Sequence, residues 1–102
     1  MRRGLSAAVL AAAFVVGLPT LAAADTAADT AILAGTCAGC HGAELGGSGA
    51  IPTLRGHSAD YIRFTLKSFK NGERQATVMN RLAAGYSDEE IEALAVYLSQ
   101  LQ

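Results

Sequence analysis

The segment TCAGCHG, residues 36–42, contains both cysteines of this 102-residue chain and sets a histidine directly after the second. Cys37 and Cys40 are three positions apart, so a single helical turn presents both thiols on one side. His41 follows one step on. Two thiols and an imidazole this close together constrain the fold strongly, because the remaining elements must enclose whatever these side chains hold.

The start of the chain indicates where the protein works. MRRGLSAAVLAAAFVVGLPTLAAADTAA opens with Arg2 and Arg3, continues as an apolar run over residues 5–18, and reaches Pro19 and the small residues Ala22, Ala23 and Ala24. This is the n-region, h-region and cleavage site of a secretory signal peptide. The run is too short to span a bilayer comfortably. An uncleaved anchor is the alternative, and two arginines alone are weak support for twin-arginine export. Cleavage is expected near Ala24, leaving residues 1–24 as signal peptide and 25–102 as one periplasmic domain with no stable membrane span. That domain carries six basic and nine acidic residues, a formal charge of −3. Nucleic-acid binders usually carry a basic excess, so no nucleic acid is expected as partner.

The rest of the chain reads as helical. Residues 27–36 are Ala-rich and predict a short helix with Asp25 or Thr26 as cap. Residues 41–57 contain Gly42, Gly46, Gly47, Gly49, Pro52 and Gly56 and predict a loop. A second helix starts at Ser58, its N-cap, with Ile62, Leu66 and Phe69 on one face and Tyr61 and Phe64 widening it. The pair Asn71, Gly72 is its stop. SDEE supplies a capping box, Ser87 with Glu90, to a last helix whose apolar series is Ile91, Leu94, Ala95, Leu98 and Leu101. No alternating strand pattern and no repeat is present. The expected fold is all-α, with three to four short helices. Such a set buries too little by itself, and a further group should fill its centre.

Cys-x-x-Cys-His is the attachment signature of c-type haem. In that reading the thiols of Cys37 and Cys40 add to the two haem vinyl groups as thioethers. His41 reaches the iron as proximal ligand, giving one covalent haem c. Three other readings stay open. The cysteines can form a disulfide in an oxidising compartment. They can be a thioredoxin-like redox pair, although the βαβ pattern of that fold is absent. They can share a zinc ion, for which residues 25–102 offer only Cys37, Cys40, His41 and His57 as typical soft ligands.

A distal ligand is sought by elimination. Met1 leaves with the signal peptide, so Met79 is the single methionine of the mature chain. It stands between the second and third helices, where a returning segment would cross the far face of a haem. His/Met ligation is a known cytochrome arrangement. Core packing is the alternative for Met79. His57 is the rival ligand, and otherwise a surface or propionate-side residue. An apolar pocket from Phe64, Leu66, Phe69, Leu82, Leu94 and Leu98 would disfavour the extra charge of oxidised iron. With both axial positions filled no substrate site remains, so the chain is expected to be an electron-transfer protein and not an enzyme. The competing class, an enzyme or gas-binding module, would leave Met79 loose and the iron open. Arg63, Lys67 and Lys70 form a basic stripe. It is a solvated face, a docking patch or a counter-charge to the haem propionates.

CAGCHG, IPTLRGHSADYI and FKNGERQATVMNRLAAGYSDEEIEALAVYLSQL together resemble the class I bacterial c-type cytochromes, over nearly all of residues 25–102. The final stretch is most similar to the small cytochrome subunits of flavocytochrome c sulfide dehydrogenases. The resemblance implies a cytochrome c fold wrapped round one covalent haem, with the first and last helices crossing, and His41 and Met79 as axial ligands. It implies that the Pro52 carbonyl accepts the His41 ring N–H, which would fix the imidazole and raise its donor strength. A plain loop breaker is the alternative for Pro52. Some of those subunits carry two haems; this chain has one motif and can hold one. The implied partners are a flavoprotein sulfide dehydrogenase subunit as electron donor and other redox proteins as acceptors. A freely diffusing cytochrome with several partners is the runner-up.

Overall fold

The computed structural model of the chain describes residues 4 and 8–17, the backbone of residues 21–25 and all of residues 26–102. Among the described residues five helices follow one another: α1 (Leu21–Gly35), α2 (Ala38–His41), α3 (Ala59–Lys70), α4 (Met79–Ala84) and α5 (Asp88–Ser99). Among the described residues the one β feature is an isolated bridge between Ser48 and Ile51. The all-helical expectation holds, with two differences. α1 begins upstream of residue 27, because LAAAD continues the Ala-rich run and favours helix just as well. Met79 is not in a bare connection but opens α4, whose sequence MNRLAA is rich in good helix formers.

The helix ends are set locally. The Ser58 hydroxyl accepts the Tyr61 N–H at 3.1 Å, and α3 stops at Asn71, followed by Gly72 at φ 75°. At α5 both halves of the capping box form: Ser87 Oγ accepts from the Glu90 N–H at 3.0 Å, and Glu90 Oε1 accepts from the Ser87 N–H at 2.9 Å.

α5 is the centre of the packing. It lies against α1 on one side and α3 on the other, and α3 in turn carries α4. The core is Ala34 from α1, Leu45 from the loop, Ile62 and Leu66 from α3, and Ile91, Leu94, Ala95 and Leu98 from α5. Ala34 and Ala95 are small, which lets α1 and α5 approach closely. Arg63 donates to Asp60 within α3 at 2.5 Å and, across the α3–α5 seam, to Glu92 at 2.5 Å. The Arg63 hydrogen bond holds the Glu92 carboxyl below its usual range, and Glu92 and Asp60 raise the guanidinium in return. Lys70 donates to the Tyr86 carbonyl at 2.7 Å and pairs with Asp88 at 3.3 Å. Two members of the basic stripe therefore have internal partners and serve the fold.

Residues 8–17 form no helix or strand, and Val9, Leu10, Phe14 and Val15 are about nine-tenths exposed, so this apolar run adds nothing to the core. Arg2, Arg3 and Pro19 of the expected signal peptide lie outside the described residues, and α1 runs through the expected cleavage point at Ala24. No described helix is long and apolar enough to cross a membrane.

Candidate functional site

α2 is a single turn, with Cys37 at its N-cap and His41 as its last residue. The His41 and Cys40 N–H groups both donate to the Cys37 carbonyl, at 2.9 and 3.3 Å. No disulfide joins Cys37 to Cys40. Cys37 is half-buried and packs against the core, whereas Cys40 is exposed. Burial pushes the Cys37 thiol up, against smaller opposing contributions from a backbone hydrogen bond and Thr36. The described residues also bring no three His, Cys, Asp or Glu side chains together as a metal cluster. The zinc reading fails because His57 does not join the motif.

His41 is 7% exposed, and its Nδ1 lies 2.7 Å from the Pro52 carbonyl oxygen. A carbonyl only accepts, so Nδ1 carries the proton and Nε2 keeps its lone pair for a ligand. The contact implied for Pro52 is thus present in the fold. It is built by the loop. The Gly47 N–H donates to the His41 carbonyl at 2.8 Å, Ser48 and Ile51 pair at 2.9 and 3.0 Å, and the Leu54 N–H reaches the Leu45 carbonyl at 2.8 Å. Leu45 holds φ 59° while its side chain is buried, so core packing offsets a left-handed backbone.

Gly47 has a stricter role than a loop glycine. Its φ is 74°, and a Cβ there would lie 2.4 Å from the Ile51 oxygen and 2.6 Å from the Pro52 carbonyl carbon. Gly47→Ala is expected to cost about 1–3 kcal/mol and to push the Pro52 carbonyl away from His41. A thermal melt reads the first effect. The NMR signal of the His41 Nδ1 proton, lost to fast exchange, reads the second. A variant that keeps both would show that the loop yields elsewhere.

Met79 opens α4 and packs, partly buried, against the core. His57 Nε2 instead meets the Thr53 carbonyl at 3.0 Å, and its ring stacks on Tyr61 with centroids 4.6 Å apart. His57 is thereby held by its own loop and by α3. The expected apolar pocket divides. Leu66, Leu94 and Leu98 are in the core, but Phe64 is 66% and Leu82 46% exposed, and Ile51 and Val78 are also uncovered. These side chains lie on α3, on α4 and its cap, and on the Pro52 loop, and the chain does not cover them. Uncovered apolar surface of this kind marks a binding face. The residues present fit a haem: two thiols on one turn, an imidazole with Nε2 available, a methionine on another element, and apolar side chains wanting cover.

Size alone does not identify the site. A cleft of about 830 Å³ beside α1 and α5 is lined by residues including Ala27, Ala93, Val96 and Tyr97, and none of the motif residues or Met79 reaches it. Sequence reasoning also missed Arg55. Its Nε donates to the Gln102 carbonyl at 2.8 Å and its Nη1 to the Glu44 carbonyl at 3.0 Å, tying the loop to the end of the chain. Backbone acceptors leave no sequence signal by which to foresee this.

An all-α domain of this design belongs with the proteins that fold helices round a thioether-linked prosthetic group. Residues 26–102 match the cytochrome c family model, and the chain belongs to the cytochrome c family. It is 49% identical over 70 residues to the cytochrome subunit of sulfide dehydrogenase from Chlorobaculum tepidum, covering 69% of this chain and 64% of that one. It is 37% identical over 108 residues to a cytochrome c-553 from Nitratidesulfovibrio vulgaris, covering 99% and 100%. Among solved structures, a cytochrome c4 from Acidithiobacillus ferrooxidans superposes with a TM-score of 0.69 at 30% identity, over 74% of this chain and 50% of that one. The chain thus spans somewhat under two thirds of the sulfide dehydrogenase subunit and half of the cytochrome c4. The family carries covalent haem c, and Cys37 and Cys40 fit its attachment motif. Membership of that family supports electron transfer as the role of this domain.

Proposed function

We propose that this chain is a periplasmic monohaem cytochrome in which Cys37 and Cys40 would form the thioethers and His41 and Met79 would ligate the iron. The observation that carries the ligand set is the buried His41 ring with Nδ1 committed to Pro52, which leaves only Nε2 for a metal. Haem c, when bound, supplies a one-electron iron couple. The Pro52 carbonyl keeps the proton on His41 Nδ1, so that proton need not move with each electron, and the hydrogen bond raises the basicity of Nε2. The soft Met79 thioether favours the reduced metal. Phe64 and Leu82 would lie against a bound haem and keep water from it, and Leu66, Leu94 and Leu98 keep the interior behind that face apolar. Two protein ligands leave no position for a substrate.

The partner proposed as donor is a flavoprotein sulfide dehydrogenase, which would oxidise sulfide and hand electrons singly to this chain. Identity to the Chlorobaculum tepidum subunit supports it. Mixing the purified holoprotein with its sulfide-reduced cognate flavoprotein should reduce the haem rapidly, and the two should co-elute. Neither reduction nor complex would leave a freely diffusing carrier. That second reading draws support from the end-to-end match with cytochrome c-553, a protein of similar length. Export rests on residues 1–24, and a mature N-terminus near Asp25 in a periplasmic extract is the expected result.

A further inference from the structure

Among the described residues two buried polar atoms, Thr65 Oγ1 on α3 and Asn80 Oδ1 on α4, have no hydrogen-bond partner. Buried polar groups are nearly always paired, and each exception asks for a reason. The two positions are related. Around α3, Thr65 falls between the core row of Ile62 and Leu66 and the uncovered row of Tyr61 and Phe64. On α4, Asn80 is three residues before Ala83, which is fully buried, and the helix that α4 packs against is α3. Residues three apart share a helix face, so Asn80 stands on the side of α4 turned to α3. The atoms are also complementary: a hydroxyl has a proton to give, and an amide oxygen only accepts. Asn80 directly follows Met79, so whatever holds Asn80 against α3 holds the backbone from which Met79 projects.

We propose that Thr65 and Asn80 are positioning residues for the distal ligand. In the haem-loaded protein the Thr65 hydroxyl donates to Asn80 Oδ1, closing α4 on α3 and holding Met79 at the iron. This rests on the Met79 reading above. Neither residue touches the iron, and the bond acts through the placement of α4.

The test uses the haem-loaded full chain in its ferric form, with imidazole as a competitor for the Met79 position and the weak far-red band of methionine-ligated ferric haem as the signal. Thr65→Val, which keeps the shape and removes the hydroxyl, should tighten imidazole binding about five-fold, the worth of one ordinary hydrogen bond. Asn80→Ala should do the same, and it provides the reading should the valine variant fail to load haem. The double variant should add nothing further, because both substitutions remove one shared bond. Thr65→Ser should restore the original affinity. Unchanged imidazole affinity in the single variants, additive effects in the double variant, or no rescue by serine would overturn the inference while leaving Met79 as ligand. Absence of the methionine band from the unsubstituted protein would remove both readings.

Discussion

Cys37→Ala together with Cys40→Ala should abolish covalent haem and leave a chain with no cooperative unfolding transition. The reason lies in how little the polypeptide buries. Its core cluster draws on four segments, and the largest fully buried side chains are just Ile91 and Leu94. A domain of this size gains about 3–5 kcal/mol at most from such a core. Meanwhile Phe64, Leu82, Val78 and Ile51 stay uncovered unless a prosthetic group covers them. The single variants should differ. Cys37 packs against the core and Cys40 is exposed, so Cys37→Ala loses packing as well as a thioether and should melt lower than Cys40→Ala. Each should keep some haem through the remaining bond. Haem retained after denaturation and a circular-dichroism melt are the measurements. A sharp melt from a colourless double variant would refute the idea that haem completes the fold.

Met79→Ala should remove the far-red band, open the iron to added imidazole and lower the reduction potential by on the order of 0.1 V, within the roughly 0.8 V that axial ligands control. The direction follows from softness: a thioether stabilises the reduced metal more than water or an added nitrogen ligand does. His57→Ala is the matched control. His57 is engaged with Thr53 and Tyr61, so its removal should leave band and potential where they were. An unchanged potential in Met79→Ala would show that methionine packs and does not ligate. A lost band in His57→Ala would reverse the assignment.

Much of this fold was legible where residues act on near neighbours in the chain. Ser58 and the Ser87–Glu90 box cap the helices they were expected to cap, since capping needs only residues three apart. Gly72 follows the end of α3 as expected, through its left-handed backbone. The motif turn formed for the same reason: Cys37, Cys40 and His41 belong to one hydrogen-bonded unit. The start of α1 was marked less clearly, by Asp25 and Thr26 inside an Ala-rich run, and α1 accordingly starts earlier than expected.

What could not be read locally depends on contacts between distant segments. No property of Gly47 distinguishes it from the other loop glycines until Ile51 and Pro52 come within contact distance of its missing side chain. Phe64 matches Ile62 and Leu66 in hydropathy, yet it stays exposed because α5 takes one face of α3 and leaves that flank uncovered. Arg63 and Lys70 form a stripe in one dimension, and Glu92, Asp88 and the Tyr86 carbonyl turn it into seams between helices. Residue order along the chain therefore set the helices, their caps and the paired thiols, because those interactions close within a turn or two. Three-dimensional packing chose which apolar faces meet one another and which remain for a haem, because burial is shared among segments that meet only once the chain has folded.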